Sequence, residues 1–443
     1  MPEALIIAAG RGSRLSRFYS PKPLTPILGL ALIERIILTG KIAGVHEFKI
    51  VVGYEADKIR KELGNGIKYG VSIQYIDNPD WEKGNGVSVL KAKEYFHGQF
   101  LLLMSDHLFD ENIINKLICH EMDSDHCALC IDKTISSDYF DLDDVTKVQT
   151  VAGKAESIGK SLDKFNAIDT GVFLCTPAIF EALEKSVAQG QFSLSAGNQI
   201  LAREGRLETV DVSGCFWVDV DNEKALKKAK KTLIRRLFKP TDGPISKNVN
   251  RRLSTRLSAH LAYHDISPNA ITLVSFSLAV LSAIFFYLGG YLFILFGGII
   301  AQLSSVLDGC DGEIARLKFQ FSTFGAWLDK VLDRYADGLI IMGITHALWI
   351  STNSEFVWLS GFLALTGTFM NSYTAAIYDD LIKTKALNGT AVRVGRDSRL
   401  FIIFIGALCN QLFLTLVILA AMTNAEAFRR LFVLKNIHIS PAH

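Results

Sequence analysis

The chain has 443 residues with a formal net charge of +2 and seven cysteines. That length favours more than one domain, the near-neutral balance gives no ground for a nucleic-acid partner, and the absence of any repeat or low-complexity segment argues against a solenoid or a tail. Residues 1–232 alternate short apolar runs with amphipathic stretches: LIIAAG, FKIVVGY, VSIQYI and FLLLMSD read as buried strands with helices between them, an α/β domain. The chain opens directly into the strand EALIIAAG, so no cleavable signal peptide is expected. Residues 233–267 form a basic linker, and within it Leu253, Leu257 and Leu261 recur at helical spacing beside Arg251, Arg252 and Arg256, the pattern of an interfacial amphipathic helix. From 268 to 443 long apolar runs dominate, and each comes near the ~20 residues needed to cross a bilayer. The connector KALKKAKKTLIRRLFK, the segment NRRLSTR and the loop from Lys383 to Arg399 are basic, whereas the turns near Gly289 and Ser351 to Glu355 hold no Lys or Arg. The positive-inside rule then puts the basic segments and the first domain on the cytoplasmic side. A basic tail with Arg429, Arg430 and Lys435 must return to that side, so the region after Leu400 needs two short crossings with a turn near Asn410 and Gln411. The expected architecture is an α/β, Rossmann-like domain followed by a multi-pass, all-α membrane domain of six helices.

In the first domain the opening strand ends in AAGRGSRLSRFYSPKPL. Ala9, Gly10 and Gly12 let backbone amides approach a triphosphate, and Arg14 and Lys22 carry the charge to neutralise a departing pyrophosphate. With Pro21, Lys22, Pro23 and Leu24 at this spacing, the segment resembles the nucleotidyltransferases that activate sugar phosphates and alcohol phosphates. The resemblance implies that Gly84, Asn85 and Ser88, in DNPDWEKGNGVSVLKA, surround the nucleobase, and that Asp106, ending LLLMSD, binds a metal. It also implies a second acidic position in FWVDVDN, for which Asp219 and Asp221 are both candidates, and an acceptor pocket near Lys160 and Asp169. A Mg²⁺ between these carboxylates and the phosphates of CTP is expected. Cys119, Cys127 and Cys130, with His120 and His126, carry zinc-type side chains, but HCALCI reads as a buried strand on which positions three apart face opposite sides.

In the second domain, four aspartates stand at the junction of two apolar segments, DGCDGEIARLKFQFSTFGAWLDKVLD. Carboxylates at the end of a membrane span are costly to desolvate and need a cation or a substrate beside them. Asp308 and Asp311 are three apart, Asp329 and Asp333 four apart, so each pair faces one side of its helix and four carboxylates can share a cavity. Hard oxygen ligands suit Mg²⁺ or Mn²⁺. Together with Gly312, Ala315, Arg316 and Gly325, these positions match the signature of the CDP-alcohol phosphotransferases. That resemblance implies a metal held by Asp308, Asp311 and Asp329, with Asp333 as general base or further ligand. Small residues at 312, 315 and 325 would admit the nucleotide, Arg316 would meet a phosphate or an aspartate, and Asn269 and Thr272 in SPNAIT would border the site. Arg393, Arg396 and Arg399 gather before the fifth expected span and would suit an acceptor bearing a phosphate.

The two halves fit as consecutive reactions, and the pairing resembles bifunctional enzymes that make CDP-inositol from CTP and inositol 1-phosphate and then transfer phosphoinositol to a second inositol 1-phosphate. Dimerisation through membrane helices is expected from the same resemblance. Two rivals stand beside this reading: a fused phospholipid synthase with a lipid acceptor, and a nucleotidyltransferase whose membrane half is only an anchor.

Overall fold

A computed structural model describes residues 2–12, 21–135, 145–238, 243, 245–384 and 394–438. Internal contacts divide the chain into two compact units, Met1–Thr232 and Leu233–His443.

The first unit is built on a sheet of nine strands: β1 (Glu3–Ala8), β2 (Glu47–Val52), β3 (Ser72–Asp77), β4 (Phe100–Met104), β5 (Cys127–Asp132), β6 (Lys147–Val151), β7 (Lys154–Gly159), β8 (Ala167–Cys175) and β9 (Leu207–Asp211). Their spatial order is β3-β2-β1-β4-β8-β5-β9-β7-β6. Strands β3, β2, β1 and β4 run parallel, β8 is antiparallel to both β4 and β5, and β9 is parallel to β5. Helices cover both faces, so the central strands are buried on each side and read as continuous apolar runs rather than alternating ones. In β1, Leu5 and Ile7 enter one core while Ala4, Ile6 and Ala8 enter the other. The carboxyl ends of β1 and β4 open side by side, the usual place for a ligand crevice in an open α/β sheet.

The second unit is helical: α1 (Arg251–Leu261), α2 (Pro268–Leu288), α3 (Tyr291–Leu317), α4 (Thr323–Thr352), α5 (Glu355–Thr384), α6 (Arg396–Leu408) and α7 (Leu412–His438). Ser267 and Ser322 cap α2 and α4, their hydroxyls accepting from the amides of Ala270 and Gly325. A turn with Asn410 at φ 54° joins α6 to α7. Among the described residues three stretches are long and apolar enough to cross a membrane, Pro268–Leu288, Tyr291–Leu317 and Leu412–Val433. The long helices α4 and α5 carry more polar residues, and α6, with 13 residues, is shorter than a bilayer core requires.

Helix α1 inverts the usual amphipathic arrangement. Leu253 and Leu257 are 50% and 36% exposed, whereas Ser254 and Ser258 are buried against α3. Arg251 turns inward instead of standing with Arg252 and Arg256. Its Nη1 lies 2.7 Å from an oxygen of Glu313, a fully buried carboxylate that also accepts from the hydroxyls of Ser254 at 2.6 Å and Ser258 at 2.7 Å.

Candidate active sites

At the carboxyl edge of the first sheet, Pro21 and Pro23 fix the backbone of a short turn whose buried Lys22 reaches across to the neighbouring strand ends. Lys22 Nζ donates to Asp106 Oδ2 at 2.6 Å and to Asp221 Oδ1 at 2.5 Å. Gly12, at φ +61°, lies directly under this lysine, and a Cβ there would stand 2.6 Å from Lys22 Cβ. Glycine at this position thus makes room for Lys22. Burial would lower the ammonium pKa, but Asp106, Asp221 and Asp219 hold it above its ordinary value. Burial likewise would raise the Asp106 carboxyl, yet Lys22 and His107 keep it far below the usual carboxylate range.

His107 is a site residue that the sequence reading missed. Its Nδ1 donates to Asp106 Oδ1 at 2.7 Å, its ring lies parallel to Trp217, and Asp106, His107 and Asp219 offer atoms all within 4.8 Å of one another. Although burial favours the neutral ring, Asp219 and Asp106 raise His107 to about 9. Burial lifts Asp219 to about 7, with His107 opposing and the other aspartates adding to the rise. The imidazole has its place because Gly171, at φ +73°, has no side chain: a Cβ there would come within 2.6 Å of the ring. This glycine falls where the register of β8 against β5 shifts, between Asp169 and Phe173.

A cavity of about 210 Å³ joins these groups to the expected acceptor residues, with Asn85, Asp106, Lys160, Asp169, Asp219 and Asp221 in its wall. Burial raises Asp169 to about 6, against the amide of Gly171, which donates to it at 2.7 Å. Asn85 also receives the amide of Leu194 at 2.8 Å. Ser88 is buried, and its hydroxyl accepts from Asn78 at 2.9 Å. Gly84 and Gly86 serve close packing, since a Cβ on either would meet the carbonyl of Phe192 at 2.7 Å. Ala9 is buried beneath the loop and Gly10 is exposed on it. Arg14 lies outside the described residues.

In the helical unit, Asp308 and Asp311 on α3 and Asp329 on α4 bring carboxylate oxygens within 4.8 Å of one another. Thr272 of α2 donates to Asp311 at 2.5 Å, and Ser275 to Asp308 at 3.2 Å. Gly325 lets α4 pass close to α2, because a Cβ there would stand 2.7 Å from Asn269 Oδ1. At Gly312 the space is open apart from the Arg316 guanidinium at 3.4 Å. Ala315 is half-buried on the same helix, and Arg316 donates to the carbonyl of Leu237 at 3.4 Å. A polar cavity of about 170 Å³ is lined by Asp308, Asp311, Gly312, Arg316 and Asp329, and its opposite wall comes from Ser246, Asn250, Arg251 and Ser254. Asp397 completes it, accepting from Asn250 at 3.0 Å and Ser305 at 2.9 Å.

Asp333 stands on the other side of Arg396. The Nη1 of Arg396 lies 2.6 Å from Asp333 and 2.8 Å from Asp308, so one guanidinium links the fourth aspartate to the other three. Arg399 is drawn away from the cluster by Asp337, at 2.8 Å, which also lies 3.4 Å from Arg396 Nε. Asp337 was overlooked in the sequence, although Asp329, Asp333 and Asp337 repeat every four residues on one helical face. Asp333, Arg396 and Arg399 line a second cavity of about 890 Å³ together with Trp327, Tyr335 and Tyr373. Arg393 lies outside the described residues.

The chain's relatives agree with this division. Residues 4–160 match the model of the MobA-like NTP transferase domain, and residues 265–428 that of the CDP-alcohol phosphatidyltransferases. A protein of Rubrobacter xylanophilus named bifunctional IPC transferase and DIPP synthase is 33% identical over 98% of this chain and 96% of its own length. A namesake from Thermococcus kodakarensis is 34% identical over 99% of this chain and 98% of its own. Among solved structures, the inositol-1-phosphate CTP transferase from T. maritima is 26% identical, covering 52% of this chain and 94% of that one, with a TM-score of 0.48. With both halves matched and full-length relatives above 30% identity, the chain belongs to the family of bifunctional IPC transferases and DIPP synthases.

Proposed function

We propose that the protein runs two consecutive reactions: CTP and inositol 1-phosphate give CDP-inositol and pyrophosphate, and CDP-inositol with a second inositol 1-phosphate gives a phosphorylated di-inositol phosphodiester and CMP. The observation that carries the reading is the presence of two separate acidic sites, each with its own buried cation, in a chain related along its whole length to bifunctional enzymes.

In the first site the phosphate of inositol 1-phosphate attacks the α-phosphorus of CTP, and no protein nucleophile is needed. Lys22 and the glycine loop hold the triphosphate and offset the charge of the departing pyrophosphate. Lys160 and Asp169 hold the alcohol phosphate, one through charge and the other by accepting from a hydroxyl. Asp106, with Asp219 or Asp221, supplies the all-oxygen donor set that suits Mg²⁺ or Mn²⁺. In the second site a hydroxyl of the acceptor attacks the inositol-bearing phosphorus of CDP-inositol, Asp333 takes its proton, and CMP leaves. Asp308, Asp311 and Asp329 would hold Mg²⁺ or Mn²⁺, which when bound neutralises the diphosphate. Arg396, with Arg399 behind it, meets the acceptor's phosphate. As that phosphate draws the guanidinium from Asp333, the base is released for its task.

We infer six membrane spans, α2 to α7, with both sites on the cytoplasmic side, so the intermediate need not cross the bilayer. Apolar side chains exposed on α4 and α5, among them Met342 and Phe362, suit lipid or a second copy in a homodimer. The aromatic wall of the cavity beside Asp333 favours one rival, a lipid alcohol as acceptor. Labelled CTP and inositol 1-phosphate supplied to the purified protein distinguish the readings. Pyrophosphate, then CMP and a water-soluble diester, are expected, and a labelled product that partitions into lipid refutes the polar acceptor. Asp333→Asn should abolish CMP release while sparing pyrophosphate release, and unchanged CMP release would refute a catalytic membrane half.

A further inference from the structure

Two of the chain's seven cysteines meet across the first sheet. Strand β8 runs antiparallel to β5 in a register that pairs Phe173 with Leu129 and Leu174 with Ala128. The next step sets Cys175, the last residue of β8, opposite Cys127, the first of β5. Both side chains enter the same core and are 1% exposed, whereas Cys130, three residues along β5, enters the other core. Cys175 also pairs with Phe100 at the start of β4, so ~17 Å of strand separates the thiols from the crevice of Asp106 at the other end.

The pairing is of the kind that a disulfide spans. The amide of Cys127 donates to the carbonyl of Arg206 at 2.9 Å, on the side of β9, so Cys127 directs its main-chain groups away from β8. Opposed residues of that non-hydrogen-bonded kind stand ~4.5 Å apart at Cα, within the ~4.4–6.8 Å usual for disulfides. The two strand ends are also tied together: the Thr176 hydroxyl donates to the carbonyl of His126 at 2.9 Å and lies 4.0 Å from Cys127 Sγ. Hydrogen bonds from the Cys175 thiol and from Thr176 hold Cys127 below the ordinary thiol range, against its burial, while burial pushes Cys175 well above it. Cys127 is thus the readier thiolate, with Cys175 as the proton donor beside it.

We propose that Cys127 and Cys175, both free thiols in the structure, form a reversible disulfide that fastens the amino end of β5 to the carboxyl end of β8. A peroxide supplies the oxidising equivalents. With hydrogen peroxide, the Cys127 sulfur attacks one oxygen, the O–O bond breaks, and a sulfenic acid forms as the first water leaves. The Cys175 sulfur then attacks the Cys127 sulfur, the S–S bond forms, and the second water leaves. Two thiols and one peroxide thus give one disulfide and two waters, and an external dithiol reverses the change. The exposed turn from Asp123 to Asp125 lies just before Cys127, and local opening at that strand end admits the oxidant. The bond closes a loop of roughly fifty residues and so restricts the unfolded chain, which stabilises the first unit from a point remote from its substrate cavity.

The test treats full-length protein in detergent with hydrogen peroxide, then denatures it, alkylates the remaining thiols and maps its peptides by mass spectrometry. A linked pair of peptides carrying Cys127 and Cys175 is expected, and a dithiol should release it. The oxidised wild type should unfold ~5–15 °C above the reduced form, and its pyrophosphate release should survive heating longer. Cys127→Ala and Cys175→Ala should each lose that difference, whereas Cys119→Ser/Cys409→Ser, changed at exposed thiols, should keep it. Recovery of Cys127 and Cys175 as separate alkylated peptides overturns the proposal, a result read on the wild type whether or not the variants fold. Linkage of either residue to another cysteine, or a thermal difference that persists in Cys175→Ala, overturns it as well.

Discussion

Removing the Glu313 carboxylate should cost the helical unit more than removing any of its surface charges. The group is fully buried and receives Arg251, Ser254 and Ser258 at 2.6 to 2.7 Å. In Glu313→Ala the Arg251 guanidinium loses its counter-charge while largely buried, a change worth ~3–5 kcal/mol where one partner of a buried pair is deleted. Glu313→Gln keeps the shape and one accepting oxygen and should cost ~1–3 kcal/mol. Replacing both partners, as in Glu313→Leu/Arg251→Met, should recover most of the loss, because no buried charge remains unmatched. Arg251 and Ser254 also line the cavity of Asp308, Asp311 and Asp329, so loosening α1 should slow the second reaction. The assay pairs unfolding in detergent with separate measurement of pyrophosphate and CMP. Glu313→Ala should unfold earlier and release CMP more slowly, with pyrophosphate release unchanged. A Glu313→Ala protein within ~1 kcal/mol of the wild type, with normal CMP release, would refute the argument that this clamp docks α1.

Three further outcomes follow from the geometry. Burial holds Asp169 at about 6 in the folded protein, above its unfolded value of 3.8, so its charge costs stability that is absent below 3.8 and fully felt above 6. Asp169→Asn should therefore be more heat-stable than the wild type at pH 7.5, with the gap closing near pH 4, while the KM for the alcohol phosphate rises; a gap that widens on acidification would contradict the assignment. Gly325→Ala forces a methyl against Asn269 and should cost ~1–3 kcal/mol and slow CMP release without touching pyrophosphate release, which parallel assays of one sample will show. Asp337→Asn removes the partner of Arg399 and should raise the KM for the acceptor ~10–100-fold, while the Mg²⁺ concentration for half-maximal CMP release stays put; a shift in the metal requirement instead would place Asp337 among the metal ligands.

The clustered carboxylates were legible because their chemistry is written locally. Asp308 and Asp311, or Asp106 after a buried strand, stand out against apolar neighbours, and helical or strand period places them on a common face. Lys22 was legible for the same reason, through its flanking prolines. His107 was not, since one histidine beside an aspartate looks ordinary until Asp219, more than a hundred residues later, closes on it. The contact of Ser88 was not legible either: its hydroxyl accepts from Asn78, ten residues earlier. Glu313 and Asp337 carried a signal in being acidic inside helices of apolar character. Their partners, Arg251 and Arg399, lie in other elements, and no periodicity reaches that far. The inverted face of α1 was hidden because leucines at helical spacing mark an apolar stripe without saying whether the core or the surroundings receive it.

Because Ser246, Asn250, Arg251 and Ser254 form a wall of the polar cavity of Asp308, Asp311 and Asp329, the segment between the two enzymatic halves is not interchangeable cord. Separating the halves by cutting within 246–258 would unmake the membrane enzyme while leaving all four signature aspartates in place. A transplant of the cytidylyltransferase onto another partner should therefore be spliced upstream of Leu237, whose carbonyl accepts from Arg316.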